Sequence, residues 1–341
     1  MSSSSPSNPS SGSAPAATPS PLLTLPGAVA AEAPDEGVAA HYGDLFKEQR
    51  ALADGTGFVD LSHRGVVTVS GEDRLTWLHL LLTQHVERLP AGQATAALIL
   101  SANGHIEQEL QLVDDGTTVW MHTEPGKQGE LLAYLESMRF FYRVEIADRT
   151  SEVAVVHLPA GSIAEVPASA HAVRETAHGR DLFLARAELA AFATSHAPAV
   201  GVLAHEALRV EERRPRLGME TDHRTIPHEV GWIGSAVHLE KGCYRGQETV
   251  ARVHNLGKPP RRLVFLHLDG SEVRLPAHGD AVRLAATGLE GRQIGFVTTS
   301  ARHHELGPIA LALVKRNVAP DAELIVGPDA TAAAQEVVVA P

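Results

Sequence analysis

The chain has 341 residues, 44% of them hydrophobic, enough to bury more than one core. Its formal net charge of −12 argues against a general nucleic-acid binder, whose affinity rests on neutralising phosphates with Lys and Arg. A single cysteine excludes an intramolecular disulfide framework, a cysteine-rich zinc site and a self-held iron–sulfur cluster, and it fits a reducing, cytoplasmic setting.

Residues 1–40 are rich in Ser, Pro and Ala, with no aromatic residue before Tyr42, and read as a disordered tail that cannot bury enough apolar surface to offset its ordering entropy. Leu22 to Ala31 imitates the apolar part of a secretory signal, but no Lys or Arg precedes it and Pro26-Gly27 breaks it. No apolar run approaches the roughly 20 residues needed to cross a bilayer. Folded chain is expected from about His41, in units spanning 41–142, 143–260 and 261–341.

In the first unit, Phe58–Leu61 and Gly65–Val69 read as strands. Ser70-Gly71-Glu72-Asp73 supplies helix-start chemistry, and Leu75, Leu78, Leu82 and Val86 follow at helical spacing. Ala94–Leu100 and Ile106–Val113, joined through Ser101-Ala102-Asn103-Gly104, read as a hairpin on which Glu107 and Glu109 face solvent. A strand at Thr117–Met121 and a helix carrying Leu131, Leu132, Leu135 and Met138 complete an α+β unit. The second unit adds strands at Tyr142–Ile146, Glu152–Leu158 and Asp181–Ala185. Later, Val250, Val253 and Leu256 mark a helix closed by Gly257 and Pro259-Pro260. Beyond it come six short strands, Leu263–Leu268, Ala281–Leu284, Gln293–Thr299, Ile309–Leu313, Glu323–Val326 and Glu336–Ala340, which suggest a small barrel or sandwich. His303-His304 lacks further spaced ligands and reads as loop, so no metal site is expected.

The densest chemistry is Lys241-Gly242-Cys243-Tyr244-Arg245-Gly246-Gln247-Glu248. Lys241, Arg245 and the helix start just beyond favour the thiolate of Cys243; the competing reading is a small buried apolar residue. Arg245, Arg252, Lys258 and Arg261 face one acid, Glu248, in an otherwise acidic chain. Such an island suits a ligand bearing carboxylates or a phosphate-bearing partner, against the plainer reading of a solvated face. Glu211, among four arginines, is on spacing alone an exposed ion pair.

The signature, followed by Val250-Ala251-Arg252 and Gly257-Lys258, resembles that of the YgfZ-type folate-binding proteins, relatives of the glycine-cleavage aminomethyltransferase (T-protein). Val69-Ser70-Gly71, Leu81-Leu82-Thr83, Leu208-Arg209-Val210-Glu211, Thr225–Glu229, Ile294–Ser300 and Leu306–Ala312 are similar to further pieces of that superfamily. The resemblance implies a tripartite α+β scaffold around a central opening that binds tetrahydrofolate or a one-carbon-substituted folate, with a carboxy-terminal β domain. It implies that Glu211 reads the paired donors of the pterin. Lys241, Tyr244, Arg245, Gln247 and Glu248 would line the folate site, and Cys243 would face ligand or partner as a reactive thiol. The implied function is support of iron–sulfur cluster assembly or repair in client proteins, with effects on tRNA modification, and with neither membrane attachment nor direct nucleic-acid binding. In the superfamily's cleavage enzymes an acidic residue sits at the reacting carbon of the folate. Their paired aspartates fall here on Gln108 and Glu109, so the pair is not kept. The alternatives are a folate-dependent aminomethyltransferase or demethylase acting on a small amine, and an interaction scaffold with a vestigial pocket.

Overall fold

The computed structural model describes residues 18–196, 198–271 and 274–340. A 3-10 turn at Pro21–Thr24 and a small ribbon, β1 (Val29–Ala30) with β2 (Ala39–His41), lead into α1 (Leu45–Ala53), β3 (Phe58–Asp60), β4 (Gly65–Ser70) and α2 (Arg74–Leu81). Next come β5 (Ala94–Leu100), β6 (Ile106–Asp114), β7 (Thr118–Thr123), α3 (Gln128–Ser137) and β8 (Glu145–Asp148). The following stretch holds β9 (Val153–Pro159), β10 (Ala172–Thr176), β11 (Gly179–Ala185), α4 (Leu189–Ser195), β12 (Ala199–Val200) and α5 (Val202–Glu211). After α6 (Gln247–Leu256) the chain is all strand: β13 (Arg261–Leu268), β14 (Ala281–Leu284), β15 (Gly295–His303), β16 (Gly307–Lys315), β17 (Leu324–Val326) and β18 (Thr331–Val337).

Two five-stranded sheets, in the orders β5-β6-β7-β4-β8 and β10-β11-β9-β3-β12, precede a closed barrel of β13-β16-β15-β14-β17-β18. The α+β class holds, and of barrel and sandwich the chain forms the barrel. The first sheet buries Val67, Val69, Leu110 and Leu112 against Trp77 and Leu78 of α2 and Leu131 and Leu135 of α3. The barrel fills with Val264, Leu266, Val297, Ala312 and Val326. A cut at residue 142 does not separate the sheets. β8, beyond it, pairs with β4 in the first sheet, and β3, before it, pairs with β9 and β12 in the second.

Three expectations are corrected. Residues 18–40 pack as part of the fold: Leu22 and Val38 are buried, and Asp35 joins buried ion pairs with His63 and Arg216. Average composition misses this because the apolar surface that covers the segment belongs to its neighbours; residues 1–17 of the expected tail lie outside the described residues. α2 stops at Leu81, so Leu82 and Val86 are buried from a non-helical stretch. The last strand is Thr331–Val337 rather than 336–340, its alanines having weak strand propensity but pairing with β13 and β17.

Gly246 of the signature and Gly104 of the β5–β6 turn have a packing reason. Gly104 (φ +78) and Gly246 (φ +84) adopt the left-handed conformation and face each other: a Cβ on Gly246 would sit 2.6 Å from the Ser101 carbonyl oxygen, and one on Gly104 would sit 2.7 Å from Cβ of Thr249. The β5–β6 turn is thereby docked on the start of α6.

Candidate active site

A cavity of about 420 Å³ opens between the two sheets, the end of α5 and the loops that follow it. Strand alternation sets its floor. On β6 the even-numbered Ile106, Gln108, Leu110 and Leu112 are buried, which turns Glu107, Glu109 and Gln111 to the other face. Glu107 lies outside, paired with Arg245, while Glu109 and Gln111 line the cavity. The expectation that Glu109 faces solvent is therefore overturned, because its face of the sheet is covered by the loop carrying Leu217.

Glu109 accepts hydrogen bonds from the backbone N–H of Leu217 (3.1 Å) and from Nε2 of Gln111 (2.8 Å). Burial, and then the like charge of Glu124, push its pKa from 4.5 to about 7; Arg64 and the two hydrogen bonds pull the other way without cancelling this. A carboxyl poised near neutrality inside a cavity can hold or release a proton at working pH.

Two charge networks frame it. In the first, Arg216 meets Glu124 (2.8 Å) and both oxygens of Asp35 and lies 3.4 Å from Glu206, with Arg64 on the other oxygen of Glu124. Glu206 in turn grips Arg209 (2.9 Å), which also bonds Glu220 (2.8 Å). In the second, Asp181 takes His157 at 2.7 Å, Arg174 at 2.7 Å and His122 at 3.3 Å. Burial would raise the Asp181 pKa, yet these partners hold it well below the ordinary carboxylate range. The pKa values of His122 and His205 are pushed down by burial, which favours their neutral form. Nδ1 of His122 and Nε of Arg64 and Arg174 are buried without a hydrogen-bond partner.

The sequence-derived site residues do not gather here. Glu211 ends α5 two residues after Arg209, about 200° round the helix, and its side chain turns from the cavity to His303, 3.1 Å away. Lys241 is buried, its ammonium bonding the carbonyls of His79 and Leu82, so it caps the end of α2. Burial lowers its pKa to about 8. Tyr244 is packed in the core that joins α6 to the barrel, and burial raises its phenol to about 12. Arg245 and Glu107 form a half-exposed pair 2.9 Å apart, Gln247 is half-buried in the first turn of α6, and exposed Glu248 pairs with Arg252 at 3.0 Å. Three cations of the positive island are thus paired with acids, Arg261 with Asp222 (2.6 Å) and Glu229 (2.8 Å). Cys243 is exposed and does not line the cavity. Of the His303-His304 pair, His303 is buried beside Glu211, and His304 Nδ1 lies 3.3 Å from Gln49 Oε1.

Among the described residues no helix is long and apolar enough to cross a membrane. Residues 38–179 match the GCVT N-terminal domain, and residues 261–341 match the glycine cleavage T-protein C-terminal barrel domain. The chain is 29% identical over 315 residues to an aminomethyltransferase of Geobacillus kaustophilus, covering 82% of this chain and 84% of that one. It is 26% identical over 308 residues to one of Herpetosiphon aurantiacus, covering 80% and 82%. In structure it is similar to the glycine cleavage system aminomethyltransferase T of Bartonella henselae, with a TM-score of 0.78 at 19% identity over 93% of this chain and 94% of the other. Two matched domains in the same order, relatives spanning both, and a shared fold that ends in the same barrel place the chain in the aminomethyltransferase superfamily.

Proposed function

We propose that the protein is a folate-dependent aminomethyltransferase that moves a one-carbon unit between a small amine and tetrahydrofolate, with Glu109 as its acid–base group. The observation that carries this reading is the enclosed carboxyl of Glu109, at the second position of the superfamily's aspartate pair, with a pKa of about 7. The loss of that pair counts less than the sequence suggested, since Gln108 lies on the buried face and Glu109 alone of the two reaches the cavity. The names of the curated relatives support the same activity.

The residues present suit a folate. About 420 Å³ falls in the range of small-molecule sites, and the guanidinium groups of Arg64 and Arg174 in its wall suit the carbonyl and ring-nitrogen acceptors of a pterin. Bound tetrahydrofolate would supply the nitrogens that carry the one-carbon unit. Arg64 and Arg174 would orient the ring, the Asp181 network would keep the cavity wall rigid, and Glu109 would move a proton at its carboxylate as the amine departs. The test is to titrate tetrahydrofolate into the purified chain and assay release of ammonia and a one-carbon folate from glycine-derived or methylated amines. Saturable folate binding with both products is expected; binding without either product removes the transferase assignment.

A second reading, support of iron–sulfur enzymes, is favoured by the exposure of Cys243 in the signature loop, where a partner reaches it. Under it, Cys243→Ser folds normally and loses activity in an iron–sulfur enzyme maturation assay. A variant as active as wild type ends it.

A further inference from the structure

Away from the cavity, the end of α2 brings three metal-type side chains together. His79 occupies the last turn of the helix; at Leu82 the backbone becomes extended (φ −92, ψ 155), and His85 and Glu87 follow. Val86 is buried, and its neighbours His85, half-exposed, and Glu87, exposed, are turned off the core. One ligand atom from each of His79, His85 and Glu87 lies within 4.8 Å of the other two. The His79 and His85 rings are 4.7 Å apart, and the His238 ring stands 5.5 Å from that of His85.

Two further features separate this group from a chance meeting of polar side chains. Nδ1 of His79 is buried with no hydrogen-bond partner, an unmet capacity that a metal ion would satisfy. The surrounding backbone is pinned: His238 N–H donates to the Thr83 carbonyl (3.0 Å), Thr83 Oγ1 to the Ala236 carbonyl (2.7 Å), and Gln84 Nε2 to the Ser235 carbonyl (3.0 Å). Lys241 holds the His79 and Leu82 carbonyls from the other side.

We propose that His79, His85 and Glu87 form a binding site for a divalent transition-metal ion, zinc above all. Two imidazoles and a carboxylate are a recurrent zinc donor set that leaves a fourth position for water. Bonds of about 2.0–2.2 Å place tetrahedral ligands roughly 3.4 Å apart, so the side chains close by about 1 Å, within reach of side-chain rotation at half-exposed His85 and exposed Glu87. The carboxylate also offsets the neighbouring Lys241 ammonium. No spacing rule marks this group, because it crosses the end of a helix that periodicity alone extends to Val86.

The test titrates metal-free full-length protein with zinc chloride by calorimetry. The chain has 19 histidines, so weak scattered binding is expected, and the criterion is one tight equivalent. That equivalent should be weakened at least about tenfold by His79→Ala, His85→Ala or Glu87→Gln, and should vanish in the His85→Ala/Glu87→Gln double variant, with unfolding temperature unchanged without metal. Cobalt chloride should give the intense visible absorption of a four-coordinate ion in wild type only. Absence of a tight equivalent in wild type, or its persistence in the double variant, overturns the proposal. Neither result depends on folate binding or transfer.

Discussion

Arg216→Ala is expected to destabilise the protein by about 3–5 kcal/mol at pH 7, because it leaves buried carboxylates without their cation. Arg216 is 3% exposed, bonds Asp35 and Glu124, and lies 3.4 Å from Glu206, and all three acids are buried. The loss should itself depend on pH. In the wild type, burial would raise the Glu206 pKa, but the cations of Arg209 and Arg216 outweigh it and hold it at about 2, below the usual 4.5. Burial likewise opposes ionisation of Asp35, and His63 and Arg216 hold it well below its usual range. These groups therefore contribute stability that is present above pH 4.5 and is lost as pH falls toward their folded values. Without Arg216 the same carboxylates are raised and become a penalty at neutrality that protonation relieves, so the gap between variant and wild type should narrow between pH 7 and pH 4. Denaturant midpoints at the two pH values measure it. A loss below about 1 kcal/mol at pH 7, or one equal at both pH values, would mean that solvent reaches the network.

How much of this was legible in the sequence follows from what each signal encodes. Alternation marked β5 and β6 and their turn, and six turn-bounded strands marked the barrel, because side-chain period is a local property. The same alternation could not say which face of β6 a distant loop would cover, so Glu107 and Glu109 looked alike, and only tertiary packing separates them. The residues framing the cavity, among them Arg64, His122, His157, Asp181 and Arg216, come from five separate stretches, and no spacing rule joins them. The one signal that was available was phase on α5: Glu206 and Arg209, three apart, share a face, and Glu211 cannot share it with them. In the signature, residue types that suggest ligand chemistry also serve as architecture. Lys241 caps a helix, Tyr244 fills core, and Gly246 lets the β5–β6 turn approach α6.

Glu109→Gln should abolish turnover while making the protein more stable above neutral pH, a combination that a purely structural residue does not give. As general acid–base catalyst, Glu109 should account for about 10²–10⁴ of the rate, and the limb of the wild-type pH–rate profile that breaks near pH 7 should be missing from the variant. The stability effect follows from the sign of the shift. A carboxyl raised from 4.5 to about 7 keeps its proton in the folded state after the unfolded chain has lost it, so stability falls as pH rises through that window. At about 1.4 kcal/mol per pH unit, ionised Glu109 disfavours the fold by about 3 kcal/mol at pH 8. Glutamine keeps the shape and carries no charge, so its advantage should be near zero at pH 4 and reach about 2–3 kcal/mol at pH 8 in denaturant titrations. A variant that turns over like wild type removes Glu109 from the mechanism. One that loses activity but gains nothing at pH 8 would show that the carboxylate is already stabilised by Arg64, and that the transfer needs it as an ion rather than as a proton carrier.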